Sequence, residues 1–219
     1  TALAASVQLE NDHQGAARQV FLKTGPLAVL PLPDNRANII WTEPKDTAET
    51  LKAMSDPDFE EELRLRAGEF IGPFKLIGHR FAYPLSLRMA ESFAADRVAL
   101  AGDAAHVIHP LAGQGVNLGL KDVAALVETI ADARQVGLDI GAETALEPYN
   151  RWRRFDTLAM ASATEGLARV FRAPRPIRSL AGVGMGLSGR MAGLRRAMAA
   201  EAGGVFGDLP RLMRGEPVR

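Results

Sequence analysis

The residues best suited to chemistry lie between positions 97 and 122, where a short apolar run is followed by Gly102 and Asp103. The run at 97–101 is predicted to be a buried strand of a parallel sheet. A carboxylate at the C-terminal end of such a strand can accept hydrogen bonds from sugar hydroxyls, and glycine allows close approach of the backbone. A plain helix cap would use the same aspartate, so both interpretations stay open at this point.

A glycine-rich segment follows, His-Pro-Leu-Ala-Gly-Gln-Gly-Val-Asn at 109–117, and it leads into a predicted helix over 115–134. Gly113 and Gly115 leave backbone N–H groups unshielded at a helix N-terminus, which attracts negative charge. This arrangement suits the electron-rich pyrimidine edge of a reduced flavin. Pro110 can press against such a ring, and Asn117 offers a donor and an acceptor to its edge.

A metal site is the competing interpretation, because Asp103, His106 and His109 follow a D-x-x-H-x-x-H spacing. Three protein ligands can hold a catalytic zinc ion. The three residues fall on a loop and not on one helical face, and a stiff proline follows His109. We therefore expect no metal here, and a buried polar role remains open for His106.

The composition limits the classes of function. The chain has 219 residues, 26 basic and 26 acidic side chains, and no cysteine. Zero net charge disfavours a general nucleic-acid binder, and the lack of cysteine excludes disulfides and thiolate chemistry. No apolar run reaches transmembrane length. Because the chain starts without methionine, we expect it to begin inside a longer protein. Residues 151–219 are rich in arginine, which predicts a solvated helical face, or contact with an anionic membrane or an acidic partner.

Periodicity predicts the elements that hold these residues. Strands are expected over 6–10, 18–23, 27–32, 37–42 and 75–84, and helices over 55–70, 115–134, 144–172 and 177–199. In the first of these helices Asp56 is the expected cap, with Pro57 at the first helical position. These elements predict three regions: a β-sheet with one helix (1–90), a strand–loop–helix unit (91–150) and a helical region (151–219).

Two helical patterns carry further expectations. In the helix over 115–134, the apolar residues at 116, 120, 123, 127 and 130 recur every three or four positions, which predicts one buried stripe. Residues 184–189 fit G-x-G-x-x-G literally, but they do not follow a strand. We interpret them as part of a small-residue helix face and not as a nucleotide loop.

The segments Ala101-Gly-Asp-Ala-Ala-His106, the glycine-rich run ending at Gly119, and Asp122 together closely resemble the second flavin-binding motif of FAD-dependent aromatic hydroxylases. The similarity is greatest to the ubiquinone-biosynthesis branch. Residues 25–32, 39–42 and 81–85, and the Leu-x-x-Tyr-x-x-x-Arg pattern at 146–153, resemble that branch as well.

The resemblance implies a mixed α+β and α/β fold: an antiparallel substrate-domain sheet, the second half of a split Rossmann-like FAD domain, and C-terminal helices. It also implies that FAD is the cofactor and that Asp103 binds its ribityl or ribose hydroxyls. The residues expected to bind FAD are Gly102, Asp103, Pro110, Gly113, Gln114, Gly115, Val116 and Asn117.

The implied activity is monooxygenation of a phenolic ring, with NAD(P)H as reductant and a flavin C4a-hydroperoxide as oxidant. The expected substrate is a polyprenyl-phenol intermediate of ubiquinone biosynthesis, bound under the sheet. The expected location is cytoplasmic, with contact to the inner membrane or to other ubiquinone-pathway proteins left open. No residue is an evident phenol base, and His79 and Tyr83 are expected to have structural roles.

The family's N-terminal G-x-G-x-x-G and its middle Asp-Gly motif are not found in position. We therefore expect a C-terminal portion that is inactive alone. Two other interpretations remain, a non-catalytic binding module that keeps a flavin-like loop, and a related flavin oxidoreductase or halogenase.

Overall fold

The fold is described from a computed structural model, which covers residues 1–108, 113–172, 193, 196 and 208–218. The chain divides into two compact units, Thr1–Leu85 and Ser86–Arg219. The predicted division at 90 and 150 remains a prediction, and one helix of the second unit runs across residue 150. The predicted helix over 177–199 and the G-x-G-x-x-G at 184–189 lie outside the described residues, apart from residues 193 and 196, which are helical.

The first unit is built on a five-stranded antiparallel sheet, which confirms the predicted mixed α+β class. Its strands are β1 (Ala2–Leu9), β2 (Arg18–Phe21), β3 (Pro26–Leu32), β4 (Arg36–Thr42) and β5 (Phe74–Tyr83). They lie in the order β2-β3-β4-β1-β5. Asp34 and Asn35 both have positive φ in the β3–β4 turn, which is the geometry that a tight hairpin with right-handed strand twist needs.

Alternating side chains give this sheet a buried face. Leu3, Val7 and Ile39 point into the core with Trp41, whose ring lies 6.2 Å from that of Phe59. Two helices contribute to this unit, α1 (Lys45–Ala53) and α2 (Asp56–Ala67). The sequence pattern missed α1, since only Ala48 and Leu51 of its nine residues are buried.

The start of α2 corrects the predicted cap. Ser55 and not Asp56 is the N-cap, and its hydroxyl accepts a hydrogen bond from the backbone N–H of Asp58 at 3.3 Å. Asp56 is the first helical residue and Pro57 the second. Serine is the N-cap because its side chain can reach the third helical N–H while its own backbone stays extended.

The second unit contains two long helices, α3 (Gly115–Gln135) and α4 (Glu143–Arg172), whose predicted positions are confirmed. Its strands are short: β6 (Arg88–Met89), β7 (Ala94–Ala95), β8 (Val98–Ala99) and β9 (His106–Val107). They form two antiparallel pairs, β6 with β9 and β7 with β8.

Two regions of the second unit that were predicted to be buried are exposed. The run at 97–101 yields only the two-residue strand β8, and Val98 is exposed. Its parallel partners were expected in sequence outside this chain, so that pairing stays a prediction. The apolar stripe of α3 is exposed as well: Val116, Leu120, Val123 and Val127 face outward. The face of α3 that packs inward carries small and polar residues instead, including Asp122 and Ala125.

Among the described helices, none combines the length and the apolar character that crossing a bilayer requires.

Candidate functional site

The glycine and aspartate singled out by the sequence lie in a single 3-10 turn, Gly102–Ala104. Gly102 has a φ of +59°, a conformation that side chains with a Cβ rarely adopt. The turn ends with the N–H of Ala105 donating to the carbonyl of Gly102 at 2.9 Å. Asp103 follows in an exposed position, so its carboxylate is available to a ligand.

The beginning of α3 packs against this turn. A methyl group built on Gly119 would lie 3.3 Å from the Cα atom of Gly102, closer than most such contacts. Glycine at both positions therefore lets the Gly102–Ala104 turn lie directly on α3. This contact holds Asp103, the residue after Gly102, close to the N-terminal part of α3.

The N-terminus of α3 can receive an electron-rich group. Gln114 is the N-cap, it makes no side-chain capping bond, and the first turn contains no acidic residue. The first backbone N–H to bond within the helix is that of Leu118, to the carbonyl of Gln114 at 2.9 Å. Earlier N–H groups thus point out of the helix end, where the helix dipole is positive.

Two glycines stand at this helix end. Gly113 has a φ of +63°, and among the described residues a methyl group built on it or on Gly115 would meet no atom within 4 Å. Asn117 is half-buried and its amide donates to Gln114 Oε1 at 3.3 Å, whereas Val116 is exposed. An exposed carboxylate can accept hydrogen bonds from the hydroxyl-bearing chain of a flavin, and backbone N–H groups at a helix N-terminus can donate to its ring edge.

The structure therefore brings together seven of the eight predicted FAD-binding residues on one turn and one helix end. These are Gly102, Asp103, Gly113, Gln114, Gly115, Val116 and Asn117. Pro110 and His109 lie outside the described residues. Their roles toward the cofactor stay predictions.

His106 has a different environment from the metal ligand considered above. It is buried, and its Nε2 lies 2.7 Å from Oδ2 of Asp122. Within the described ranges, no group of three or more His, Cys, Asp or Glu side chains is arranged to hold a metal ion.

Sequence reasoning quoted Asp122 but gave it no role, and the structure shows what it does. Oδ2 also accepts the backbone N–H of Gly102 at 2.9 Å, and Oδ1 accepts Nε of Arg153 at 2.8 Å. Burial raises the pKa of the Asp122 carboxyl, but the hydrogen bonds from His106, Arg153 and Gly102 outweigh it and hold that pKa below its ordinary value. The carboxylate is thus ionised, and His106 Nε2 donates to it.

Helix α4 supplies the other side of this buried group. Arg153 is fully buried and also donates through Nη1 to Oδ2 of Asp156 at 2.6 Å. Tyr149, four residues earlier and therefore on the same helix face, donates its hydroxyl to the carbonyl of Leu100 at 2.5 Å. Burial, followed by the nearby Asp122 charge, raises the pKa of the Tyr149 phenol, so it remains a donor.

The face of the first unit's sheet that is not buried carries a row of apolar residues. Ala28, Ile40, Ala4 and Phe81 form one row across β3, β4, β1 and β5. Phe81 and Tyr83 are about half exposed, and their stacked rings lie 6.4 Å apart. Two of the four residues, Ala28 and Ala4, are small, so the row carries little side-chain bulk on either side of Ile40.

Comparison with known proteins agrees with this geometry. The sequence profile described as "FAD binding domain" matches residues 4–155. The chain is 41% identical over 222 residues to the ubiquinone hydroxylase UbiL of Rhodospirillum rubrum, covering 100% of this chain and 52% of the relative. It is 37% identical over 160 residues to the 3-demethoxyubiquinol 3-hydroxylase of Escherichia coli, covering 73% of this chain and 41% of the relative. The chain thus spans about half the length of the curated relatives it matches.

Solved structures give the same picture. PqsL of Pseudomonas aeruginosa, described as a probable FAD-dependent monooxygenase, superposes with a TM-score of 0.63 at 26% identity, over 81% of this chain and 50% of that one. The p-nitrophenol 4-monooxygenase PnpA of Pseudomonas putida shares the fold, with a TM-score of 0.70 at 22% identity over 94% of this chain and 52% of that one. The profile match, these relatives and the geometry of the Gly102–Asp103 turn lead to one conclusion: the chain belongs to the FAD binding domain family.

Proposed function

We propose that this chain is the C-terminal part of an FAD-dependent monooxygenase that hydroxylates a phenolic ring. The observation that carries the proposal is the exposed Asp103 carboxylate near the N-terminus of α3, where the Gln114 side chain makes no capping bond. The similarity to ubiquinone hydroxylases supports a polyprenyl-phenol of ubiquinone biosynthesis as the substrate. The chain spans about half the length of these relatives, and we infer that a further part of the protein would complete the cofactor site.

Each residue of the proposed site has a separate task. Asp103 accepts hydrogen bonds from the ribityl or ribose hydroxyls of FAD. The N–H groups at 115–117 stabilise negative charge on the pyrimidine edge of the flavin, and Asn117 bonds that edge. Gly113 and Gly115 let the ring approach the backbone. FAD held by these residues would supply the oxygen chemistry of the reaction, with NAD(P)H as the reductant.

The substrate is proposed to bind on the open face of the sheet. The row formed by Ala28, Ile40, Ala4 and Phe81 offers an apolar surface that excludes water from a phenolic ring. Ser6 and Asn38, adjacent to this row and paired across β1 and β4, can orient a ring hydroxyl. A polyprenyl tail requires an apolar exit, which makes contact with a membrane surface a further part of this proposal.

Oxygen uptake by the full-length protein tests the function. We expect a yellow protein that consumes oxygen when given NAD(P)H and a short-chain prenylated phenol, with one hydroxyl added to the ring. Asp103→Ala should lower flavin retention, whereas Asp139→Ala, at an exposed ion pair with Arg97, should not. A protein that neither contains nor takes up FAD would favour the binding-module interpretation, and halide incorporation in place of hydroxylation would favour a halogenase.

A further inference from the structure

The contacts behind the Gly102–Ala104 turn are more extensive than a simple loop needs. Asp122 of α3 accepts the Gly102 N–H, and Arg153 of α4 holds the other oxygen of that carboxylate. Tyr149 of α4 bonds the carbonyl of Leu100, two residues before Gly102. The backbone is therefore held at two points, the Leu100 carbonyl and the Gly102 N–H, by side chains that are themselves buried.

We infer that Asp122, Arg153 and Tyr149 are positioning residues for FAD binding, which set the orientation of the Gly102–Asp103 turn without touching the cofactor. The inference rests on the proposed function for the role of Asp103. We infer further that the affinity for FAD depends on the hydrogen bonds that link α4 to the turn, through Arg153 and Asp122 and through Tyr149.

The burial of these groups explains why the hydrogen bonds between α4 and the turn are strong. Asp122 and Arg153 are both inaccessible to solvent, so the ion pair between them is not weakened by water or salt. Gly119 lies one helical turn before Asp122, on the face of α3 that touches Gly102. The turn is therefore held by two interactions, the close backbone contact between Gly119 and Gly102 and the hydrogen bond from the Gly102 N–H to the Asp122 carboxylate.

The same geometry shows that the arrangement is specific. Among the described residues, Nη2 of Arg153 and Nδ1 of His106 are buried without a hydrogen-bond partner. Buried polar atoms of this kind are costly, and replacing a buried ion pair by apolar residues often does not destabilise a protein. Stability alone therefore gives little reason for this group, whereas fixing one conformation of the turn does.

The test uses the full-length protein with Arg153→Lys and Tyr149→Phe. Lysine keeps the positive charge but lacks the forked geometry that Asp122 and Asp156 require, and phenylalanine removes only the hydroxyl. The matched control is Arg169→Lys, at an exposed arginine of the same helix that pairs with Glu165. We expect both variants to raise the Kd for FAD about tenfold, which equals ~1.4 kcal/mol, and the control to leave it unchanged.

A double-variant cycle separates positioning from general stability. If Arg153 acts through the turn, Arg153→Lys should change the Kd less than about twofold once Asp103→Ala is present. A role in stability alone predicts an unchanged Kd for Arg153→Lys in the folded protein. An equal tenfold effect in both backgrounds would show that Arg153 acts by another route. Either of these results overturns the inference.

A second measurement does not depend on FAD. Amide hydrogen exchange of the apoprotein over residues 100–105 should be faster in Arg153→Lys and unchanged in Arg169→Lys, because the Gly102 N–H loses a fixed acceptor. If Asp103→Ala weakens FAD binding but Arg153→Lys changes neither exchange nor affinity, the inference fails and the proposed function stands. If the unaltered protein binds no FAD, the proposed function fails, and this inference fails with it.

Discussion

Removing the Asp122 carboxylate should destabilise the protein far more than removing Asp156, although both bond the same arginine. Asp122→Ala deletes three hydrogen bonds and leaves the guanidinium of Arg153 buried with only one anionic partner. Breaking a buried ion pair typically costs about 3–5 kcal/mol. Because Asp156 still bonds Arg153, we expect the lower end of that range, about 3 kcal/mol.

Asp156→Ala removes a single bond from a carboxylate whose side chain is 25% exposed, and Asp122 still neutralises the arginine. The expected cost is about 1 kcal/mol. The comparison cancels changes that both variants share, such as the lost carboxylate charge. Its predicted difference of about 2 kcal/mol therefore reports the network around Gly102.

Urea unfolding of the full-length apoprotein, followed by circular dichroism, measures this difference. With a slope of roughly 2 kcal/mol per molar urea, the midpoint of Asp122→Ala should fall about 1 M below that of Asp156→Ala. Equal midpoints for the two variants would refute the reasoning, because they would show that the bonds of Asp122 to Gly102 and His106 contribute no stability.

Three further predictions follow from burial, backbone geometry and charge. Leu63→Ala should cost about 2–5 kcal/mol in urea unfolding and Leu65→Ala under about 0.5 kcal/mol, since the first is buried in α2 and the second is 68% exposed; similar losses would contradict the core assignment. Gly102→Ala should destabilise the protein by about 1–2 kcal/mol because Gly102 has a positive φ, whereas Gly166→Ala inside α4 should stabilise it by about 0.5–1 kcal/mol. Thermal melts in which both variants shift the melting temperature in the same direction would be inconsistent with this account. The folded-state pKa of the Asp122 carboxyl lies below its unfolded value. Its contribution to the free energy of unfolding is therefore complete above about pH 4 and is lost as the pH falls through the folded pKa. Unfolding measured from pH 6 to 3 should show this loss in the unaltered protein and a smaller one in Asp122→Asn.

The elements that the sequence predicted well are those whose local pattern matches their environment. The strands alternate because one face of the sheet is buried, and α2 and α4 begin and end close to their predicted positions. The Gly102–Asp103 turn was also predicted, since its conformation needs glycine and its aspartate follows at once. In each case a short stretch of chain contains the whole signal.

Helix α3 shows where a local pattern is insufficient. Its bounds were predicted, but the apolar stripe that was expected to be buried is exposed. Periodicity reports that one face of a helix is apolar, and it does not report which surface covers that face. Here Val116 and Leu120 are exposed, while the inward face carries Gly119 and Asp122. The small Gly119 lets the Gly102–Ala104 turn approach α3, and the Asp122 carboxylate bonds the Gly102 N–H.

The bonds of Arg153 and Tyr149 could not be located from local patterns because their partners are far away in the chain. Arg153 bonds a residue 31 positions earlier, and Tyr149 one 49 positions earlier. The signal that was available is their separation by four, which places both on one face of α4. Spacing of this kind indicates a shared surface, and only the fold shows what that surface contacts.

The most direct test of the central claim is the visible absorption spectrum of the full-length protein and of its Asp103→Ala variant, recorded before and after FAD is added. We predict flavin bands in the unaltered protein, loss or marked weakening of them in Asp103→Ala, and no change in Asp139→Ala. A colourless protein that does not take up FAD, or an Asp103→Ala variant that retains FAD as well as the unaltered protein, would contradict the proposal that this turn forms part of the flavin site.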